Sequence, residues 1–139
     1  MLRFLIVLLF ASVTHGLLPS NPCPNIFQYK YFKDQYYGEI TIPYDDESRH
    51  LNLEVQFSLP GFYRNLKLDL QGLTPLELLG STPFINYRVG FPTPPDNFNK
   101  DLPIITQATF NGRIICTGPP YKDTSRGVTS LQASLYYNL

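Results

Sequence analysis

Residues 50–59, HLNLEVQFSL, decide the fold of this chain because apolar and polar residues alternate strictly along them. Every odd position, from Leu51 to Leu59, is apolar, and every even position, from His50 to Ser58, is polar. Successive side chains of a β-strand point to opposite faces of the sheet, so the pattern predicts a strand with one buried and one solvated face. Half-buried strands of this kind are typical of antiparallel sheets.

The same period of two returns on both sides of this stretch. Residues 66–70 and 85–91 also alternate, and residues 26–31 and 36–42 are rich in aromatic and β-branched side chains that favour strands. The dipeptide Asn111-Gly112 between two apolar segments predicts a two-residue hairpin with a type I′ turn. The whole pattern predicts an all-β fold, an antiparallel β-sandwich of about seven to eight short strands.

The first residues of the chain predict export. Arg3 is followed by an apolar run over residues 4–10, and small residues precede a cleavage point near Gly16. A run of this length is shorter than the ~20 apolar residues that cross a bilayer, so residues 1–16 are interpreted as a signal peptide. We therefore expect a secreted, extracellular β domain at residues 17–120. Residues 121–139, rich in Ser, Thr and Asp at their start, are predicted to be a linker or tail.

The two cysteines of the chain lie at either end of the predicted strand region. Secreted proteins fold in oxidising surroundings, so Cys23 and Cys116 are expected to form a disulfide that joins the first and last strands. The bond would close a loop of about 90 residues and stabilise the fold by about 4–5 kcal/mol on a chain-entropy estimate. We interpret it as structural.

The residues offer little catalytic or metal chemistry. His50 starts the polar face of a strand, and no Gly-x-Ser-x-Gly motif accompanies it, so no catalytic residues and no cofactor are predicted. The carboxylates of residues 45–47, Asp-Asp-Glu, lack the further ligands and the glycine of a calcium loop, so no metal site is predicted. Eleven Lys and Arg against eleven Asp and Glu leave no net charge, which argues against nucleic acid as a partner.

Two surfaces are predicted to contact a partner. One is the Tyr36-Tyr37 pair with its neighbours Lys33 and Asp34, because tyrosine supplies contact area at low entropic cost. The other is the proline-rich loop at residues 92–97, since loops on a rigid sandwich commonly carry recognition. The candidate contact residues are Tyr36, Tyr37, Asp96, Asn97 and Phe98.

Five segments of the chain carry a resemblance to a known family. They are CPNIFQY at residues 23–29, YGEITIP at 37–43, LNLEVQFSL at 51–59, INYRVGFP at 85–92 and LP through NGRIIC at 102–116. In this order they resemble the N-terminal domain of the insect serine protease gastrulation-defective. The resemblance implies a non-catalytic pro-region of an extracellular serine-protease cascade in development or immunity. Its partner would be an extracellular protein, either a serine protease or another cascade component, with no nucleic acid and no membrane involved after signal cleavage.

Three interpretations remain open at this level. The chain has no Gly-Asp-Ser-Gly-Gly motif and reaches only Leu139, so the protease activity of the family is not expected here. It is then a stand-alone interaction module or the truncated product of a serine protease gene. A third alternative is a small secreted carrier, whose aromatic-lined interior would need a cavity of several hundred Å³ for an apolar ligand, at roughly the size usual for ligand pockets.

Overall fold

A computed structural model describes residues 18–44, 48–95 and 101–139. These residues form eight strands in two four-stranded antiparallel sheets, so the predicted antiparallel β-sandwich is confirmed. No helix in this described part of the chain is long and apolar enough to cross a membrane. The strands are β1 Phe27–Phe32, β2 Gln35–Pro43, β3 His50–Pro60, β4 Asp69–Gly72, β5 Phe84–Gly90, β6 Ile104–Phe110, β7 Arg113–Thr117 and β8 Val128–Asn138, with a short 3-10 helix at Leu76–Leu78.

The alternating stretch becomes β3, the centre of the second sheet. The strand order is β1-β2-β5-β4 in the first sheet and β7-β6-β3-β8 in the second. The odd residues Leu51 through Leu59 are all buried, as the period of two predicts. Ser58 is the exception on the polar face, since it is 2% exposed. Its hydroxyl accepts the Tyr121 N–H at 3.0 Å, so the chain after β7 covers this end of the strand.

The core lies between the two sheets and draws on both. Phe27 of β1 packs edge-on against Phe57 of β3 at 5.4 Å between ring centroids. Gly38 of β2 makes room for this packing, because a Cβ atom there would lie 2.5 Å from the Phe27 ring. Tyr87 of β5 is also fully buried. Side chains of this kind fill the space between the sheets.

Two hairpins have the same turn geometry but different sequences. Asn111 and Gly112 have φ angles of 50° and 80° between paired Phe110 and Arg113, which confirms the predicted type I′ turn. The Asn111 side chain also accepts the backbone N–H of Asn52 at 2.8 Å. Lys33 and Asp34 have φ angles of 52° and 62° between β1 and β2, although neither is a glycine. Type I′ hairpins are usually recognised in a sequence by a glycine in the turn, and this second turn has none.

The disulfide between Cys23 and Cys116 is confirmed, with Cα atoms 5.9 Å apart. Its position differs from the prediction at one end. Cys23 lies in a turn just before β1, where its carbonyl accepts the N–H groups of Ile26 and Phe27 at 3.0 and 2.8 Å. Cys116 lies in β7, which is the last strand but one. Since β1 and β7 are edge strands, the bond joins an edge of the first sheet to an edge of the second. It does not reach the last strand, because a further strand follows β7.

That further strand corrects the prediction that residues 121–139 are a linker or tail. Residues 128–138 form β8 and pair with β3 along its whole length, from His50 opposite Asn138 to Pro60 opposite Val128. Within this strand Leu131 is buried in the core, and half-buried Ala133 and Leu135 continue a period of two.

One other segment differs in detail from its prediction. The alternating residues 66–70 were expected to be a strand, but pairing begins only at Asp69, although Leu68 still packs into the core. The 3-10 helix follows in the connection between β4 and β5. The predicted signal peptide and the acidic turn at residues 45–47 lie outside the described residues.

Candidate functional site

The structure brings parts of the two predicted surfaces together in one cleft at an end of the sandwich. The β1–β2 hairpin forms one wall, and the segments that follow β5 and precede β6 form the other. We call this the tyrosine cleft, and its volume is about 430 Å³. Its lining residues include Tyr31, Asp34, Tyr36, Phe91, Pro92 and Pro103.

Tyr31 and Tyr36 form the aromatic wall of the cleft. They are directly opposite in the β1–β2 register, and their ring centroids are 4.7 Å apart with the planes inclined at 52°. Both point to the same face as the core residues Phe27 and Ile40, since each lies an even number of residues away along its strand. Tyr31 is nevertheless 57% exposed. The aromatic inner face of the first sheet therefore continues beyond the core and becomes accessible at this end.

Asp34 adds a carboxylate to that wall. The Tyr31 hydroxyl donates to Asp34 Oδ1 at 3.1 Å. This hydrogen bond raises the pKa of Tyr31, with smaller contributions from desolvation and from the neighbouring carboxylate charge. Asp34 sits at the second position of the type I′ turn with a φ of 62°, a left-handed conformation that residues other than glycine seldom adopt. The turn thus carries an exposed acidic side chain next to two tyrosine rings.

Aromatic residues beneath the cleft connect its wall to the core. The Tyr29 hydroxyl donates to the Pro103 carbonyl at 2.6 Å, and its ring lies 6.1 Å from that of Phe91. Phe91 in turn packs against Phe57 at 5.6 Å. Burial, together with the nearby Tyr121, raises the pKa of Tyr29. The floor of the cleft is therefore held by core packing and by one hydrogen bond between its two walls.

Tyr37, the second residue of the predicted tyrosine pair, lies on the other face of the first sheet. Its ring stacks under the Arg88 guanidinium at 4.3 Å. The two residues separate because neighbours on a strand point to opposite faces. Pro92 and Pro94 of the predicted loop line the cleft, whereas Asp96, Asn97 and Phe98 lie outside the described residues, and their role in contact stays a prediction.

His50 occupies a separate position at the start of β3. Its Nδ1 lies 2.9 Å from the Tyr136 hydroxyl, and the two rings stack at 6.1 Å. The side chain is exposed, in keeping with the predicted polar face. Because Tyr136 lies on β8, the strand that pairs with β3, we interpret this contact as a cross-strand side-chain pair. Within residues 18–44, 48–95 and 101–139, no three His, Cys, Asp or Glu side chains group closely enough to hold a metal ion.

Two four-stranded antiparallel sheets with an aromatic cleft at one end define the protein as an all-β sandwich. Residues 21–126 match the family described as serine protease gd N-terminus. Because the match covers most of the chain, the protein belongs to this family. What is matched is the N-terminal region of the protease and not a protease domain.

The chain is similar to a curated protein over most of its length. It is 24% identical over 124 residues to serine protease gd of Drosophila melanogaster, and this alignment covers 84% of the chain. The same alignment covers 22% of the relative, so the chain spans about a fifth of that protein's length. No solved structure matches the chain.

Proposed function

We propose that this protein is a secreted, non-catalytic interaction module of an extracellular serine-protease cascade, and that it binds its protein partner at the tyrosine cleft. The partner class is a serine protease or another component of the same cascade. One observation carries the proposal: Tyr36 and the proline segment, selected separately as contact surfaces, line the same cleft. Family membership supports the protease context.

The construction of the cleft suits protein recognition. Tyrosine offers a large contact area with few rotatable bonds, so little entropy is lost when a partner binds. The inner-face packing of Tyr29 and Phe91 keeps the walls in place before binding. Pro92 and Pro94 have restricted backbones and no N–H group, which further limits the rearrangement needed on binding. A preformed aromatic cleft of this kind favours a binding role.

Secretion and the lack of catalysis complete the proposal. The signal peptide predicted at residues 1–16 and the Cys23–Cys116 disulfide both support an oxidising, extracellular location. The match to an N-terminal region of a protease supports a module that acts by contact. The carrier alternative gains no support, because buried side chains from both sheets occupy the space in which a carrier would hold its ligand.

The test is a capture experiment with a matched pair of variants. The secreted chain is immobilised and exposed to haemolymph or perivitelline fluid, and captured serine proteases are identified by mass spectrometry and then measured with purified protein. Tyr36→Ala should weaken capture, while Tyr37→Ala, one residue away on the opposite face, should not. Equal capture by both variants and by the unmodified chain would rule out the cleft as the binding surface.

A further inference from the structure

We infer that the tyrosine cleft accepts an arginine side chain presented by an extended segment of the partner. This inference rests on the proposed function, because it names the chemistry of what the same cleft binds. It depends on three observations: the carboxylate of Asp34, the two tyrosine rings beside it, and the composition of the remaining lining.

The first observation is the unusual turn that places Asp34. The β6–β7 hairpin uses Asn111-Gly112, in which glycine adopts the left-handed conformation without steric cost. The β1–β2 hairpin adopts the same turn with Lys33, for which that conformation is unfavourable, and with Asp34, for which it costs more than for glycine. The glycine alternative would remove the carboxylate from the rim of the cleft. The choice of residues at this turn therefore sacrifices local stability and retains an acidic side chain at the cleft.

The second observation is the arrangement of rings around that carboxylate. The Tyr31 hydroxyl lies 3.1 Å from Asp34 Oδ1, and the centroid of the Tyr31 ring lies 4.7 Å from that of Tyr36. A guanidinium is planar, so it can stack on a tyrosine face while its N–H groups reach a carboxylate. Such a stack already exists on the outer face of the first sheet, where the Arg88 guanidinium of β5 lies 4.3 Å from the ring centroid of Tyr37 of β2. The cleft presents equivalent rings without an arginine among its described lining residues.

The third observation is the remaining lining, which suits an extended backbone. Besides the tyrosines and the two acidic residues Asp34 and Asp101, the described lining is largely apolar or proline, including Phe91, Pro92 and Pro103, and it contains no lysine or arginine. Its volume of about 430 Å³ holds one long side chain and its flanking backbone. An aromatic and proline surface with acidic side chains and no basic ones is complementary to an extended segment that carries a cation.

The experiment measures binding of a short peptide to the full chain by NMR. The probe is a capped pentapeptide with arginine at its centre and glycine and proline on either side, and the control replaces arginine by citrulline, which has the same shape and no charge. We expect shift changes at residues 31–36 and 91–94 with the arginine peptide, and binding that weakens as salt is raised. The citrulline peptide should bind about fivefold to tenfold more weakly.

The matched variant is Asp34→Asn. Asparagine tolerates the left-handed conformation and still accepts the Tyr31 hydroxyl, so the change removes the charge and leaves the turn. It should reduce affinity for the arginine peptide about fivefold to tenfold, and Tyr37→Ala should leave it unchanged. Equal binding of both peptides, or unchanged binding by Asp34→Asn, would overturn the inference. If Tyr36→Ala still abolishes protease capture in that case, the proposed function stands with a different ligand chemistry.

Discussion

At the scale of single residues, the partly buried Tyr29 and the fully buried Tyr87 differ in how their hydroxyl groups are satisfied. Tyr29 donates to the Pro103 carbonyl at 2.6 Å. Tyr87 is 1% exposed, and no described residue provides a hydrogen-bond partner for its hydroxyl. Burial, and to a lesser extent the nearby Tyr137, raises the pKa of Tyr87 to about 12. A buried hydroxyl with no protein partner costs about 1–3 kcal/mol of stability.

The pair predicts opposite effects of the same substitution. Tyr87→Phe removes only the unpartnered hydroxyl, so the free energy of unfolding at pH 7 should stay constant or rise by about 1 kcal/mol. Tyr29→Phe removes a made hydrogen bond and leaves the Pro103 carbonyl without it, so the free energy should fall by about 1 kcal/mol. Urea unfolding of the two variants measures both values. A loss for Tyr87→Phe as large as that for Tyr29→Phe would show that its hydroxyl is stabilising.

Tyr87 also predicts a response to alkaline pH. Because its pKa in the folded state lies above the ordinary value of 10.0, the folded state retains the proton more strongly than the unfolded state. The stability linked to this proton is complete below pH 10 and is lost as the pH rises from 10 toward 12, by about 2–3 kcal/mol. Tyr87→Phe should therefore lose less stability than the unmodified chain across this range. Parallel losses in both proteins would contradict the assignment to Tyr87.

At the scale of secondary-structure elements, the β1–β2 turn is predicted to exchange stability for binding. Replacing Lys33 and Asp34 by asparagine and glycine, the residues of the β6–β7 turn, should raise the free energy of unfolding by about 1 kcal/mol, because the left-handed conformation is no longer strained. Affinity for the arginine peptide should fall at the same time. Asp34→Asn alone is the control, since it keeps most of the turn strain. A gain in stability with unchanged affinity for the arginine peptide would show that the turn residues do not contribute to binding.

The C-terminal strand is predicted to be essential although it was expected to be a tail. Removal of residues 127–139 deletes β8, exposes one edge of β3 and takes the buried Leu131 out of the core. The truncated chain should show neither a cooperative thermal transition nor the dispersed NMR spectrum of a folded domain. Removal of Leu139 alone, which loses one backbone hydrogen bond to Arg49, is the control and should fold. A cooperatively folding chain without β8 would restore the linker interpretation.

At the scale of the whole molecule, the disulfide is predicted to supply a large part of the stability. It connects residues 93 positions apart and so restricts most of the unfolded chain. Replacing Cys23 and Cys116 together by serine should lower the free energy of unfolding by about 4 kcal/mol. The slope of the free energy of unfolding against denaturant concentration should change as well, because the unfolded chain is less compact without the bond. A loss below about 1 kcal/mol would indicate that sheet packing alone holds the two edges together.

Elements with local signals could be predicted directly from the amino-acid sequence. The alternation of residues 50–59 specified β3 and its buried face, because the period of two is a property of each strand. Asn111-Gly112 specified one hairpin through its left-handed conformations, and the predicted export signal together with two cysteines indicated the disulfide. Alternation also places the adjacent Tyr36 and Tyr37 on opposite faces of the sheet.

The way in which these elements combine depends instead on contacts between distant parts of the chain. Residues 128–138 carry a weak pattern of their own and became a strand because they pair with β3. The cleft exists because β5 pairs with β2, which brings the chain after β5 to the β1–β2 turn from more than 50 residues away. Pairing between distant strands depends on which faces and edges fit together in the folded core, and no local pattern in the chain records that choice.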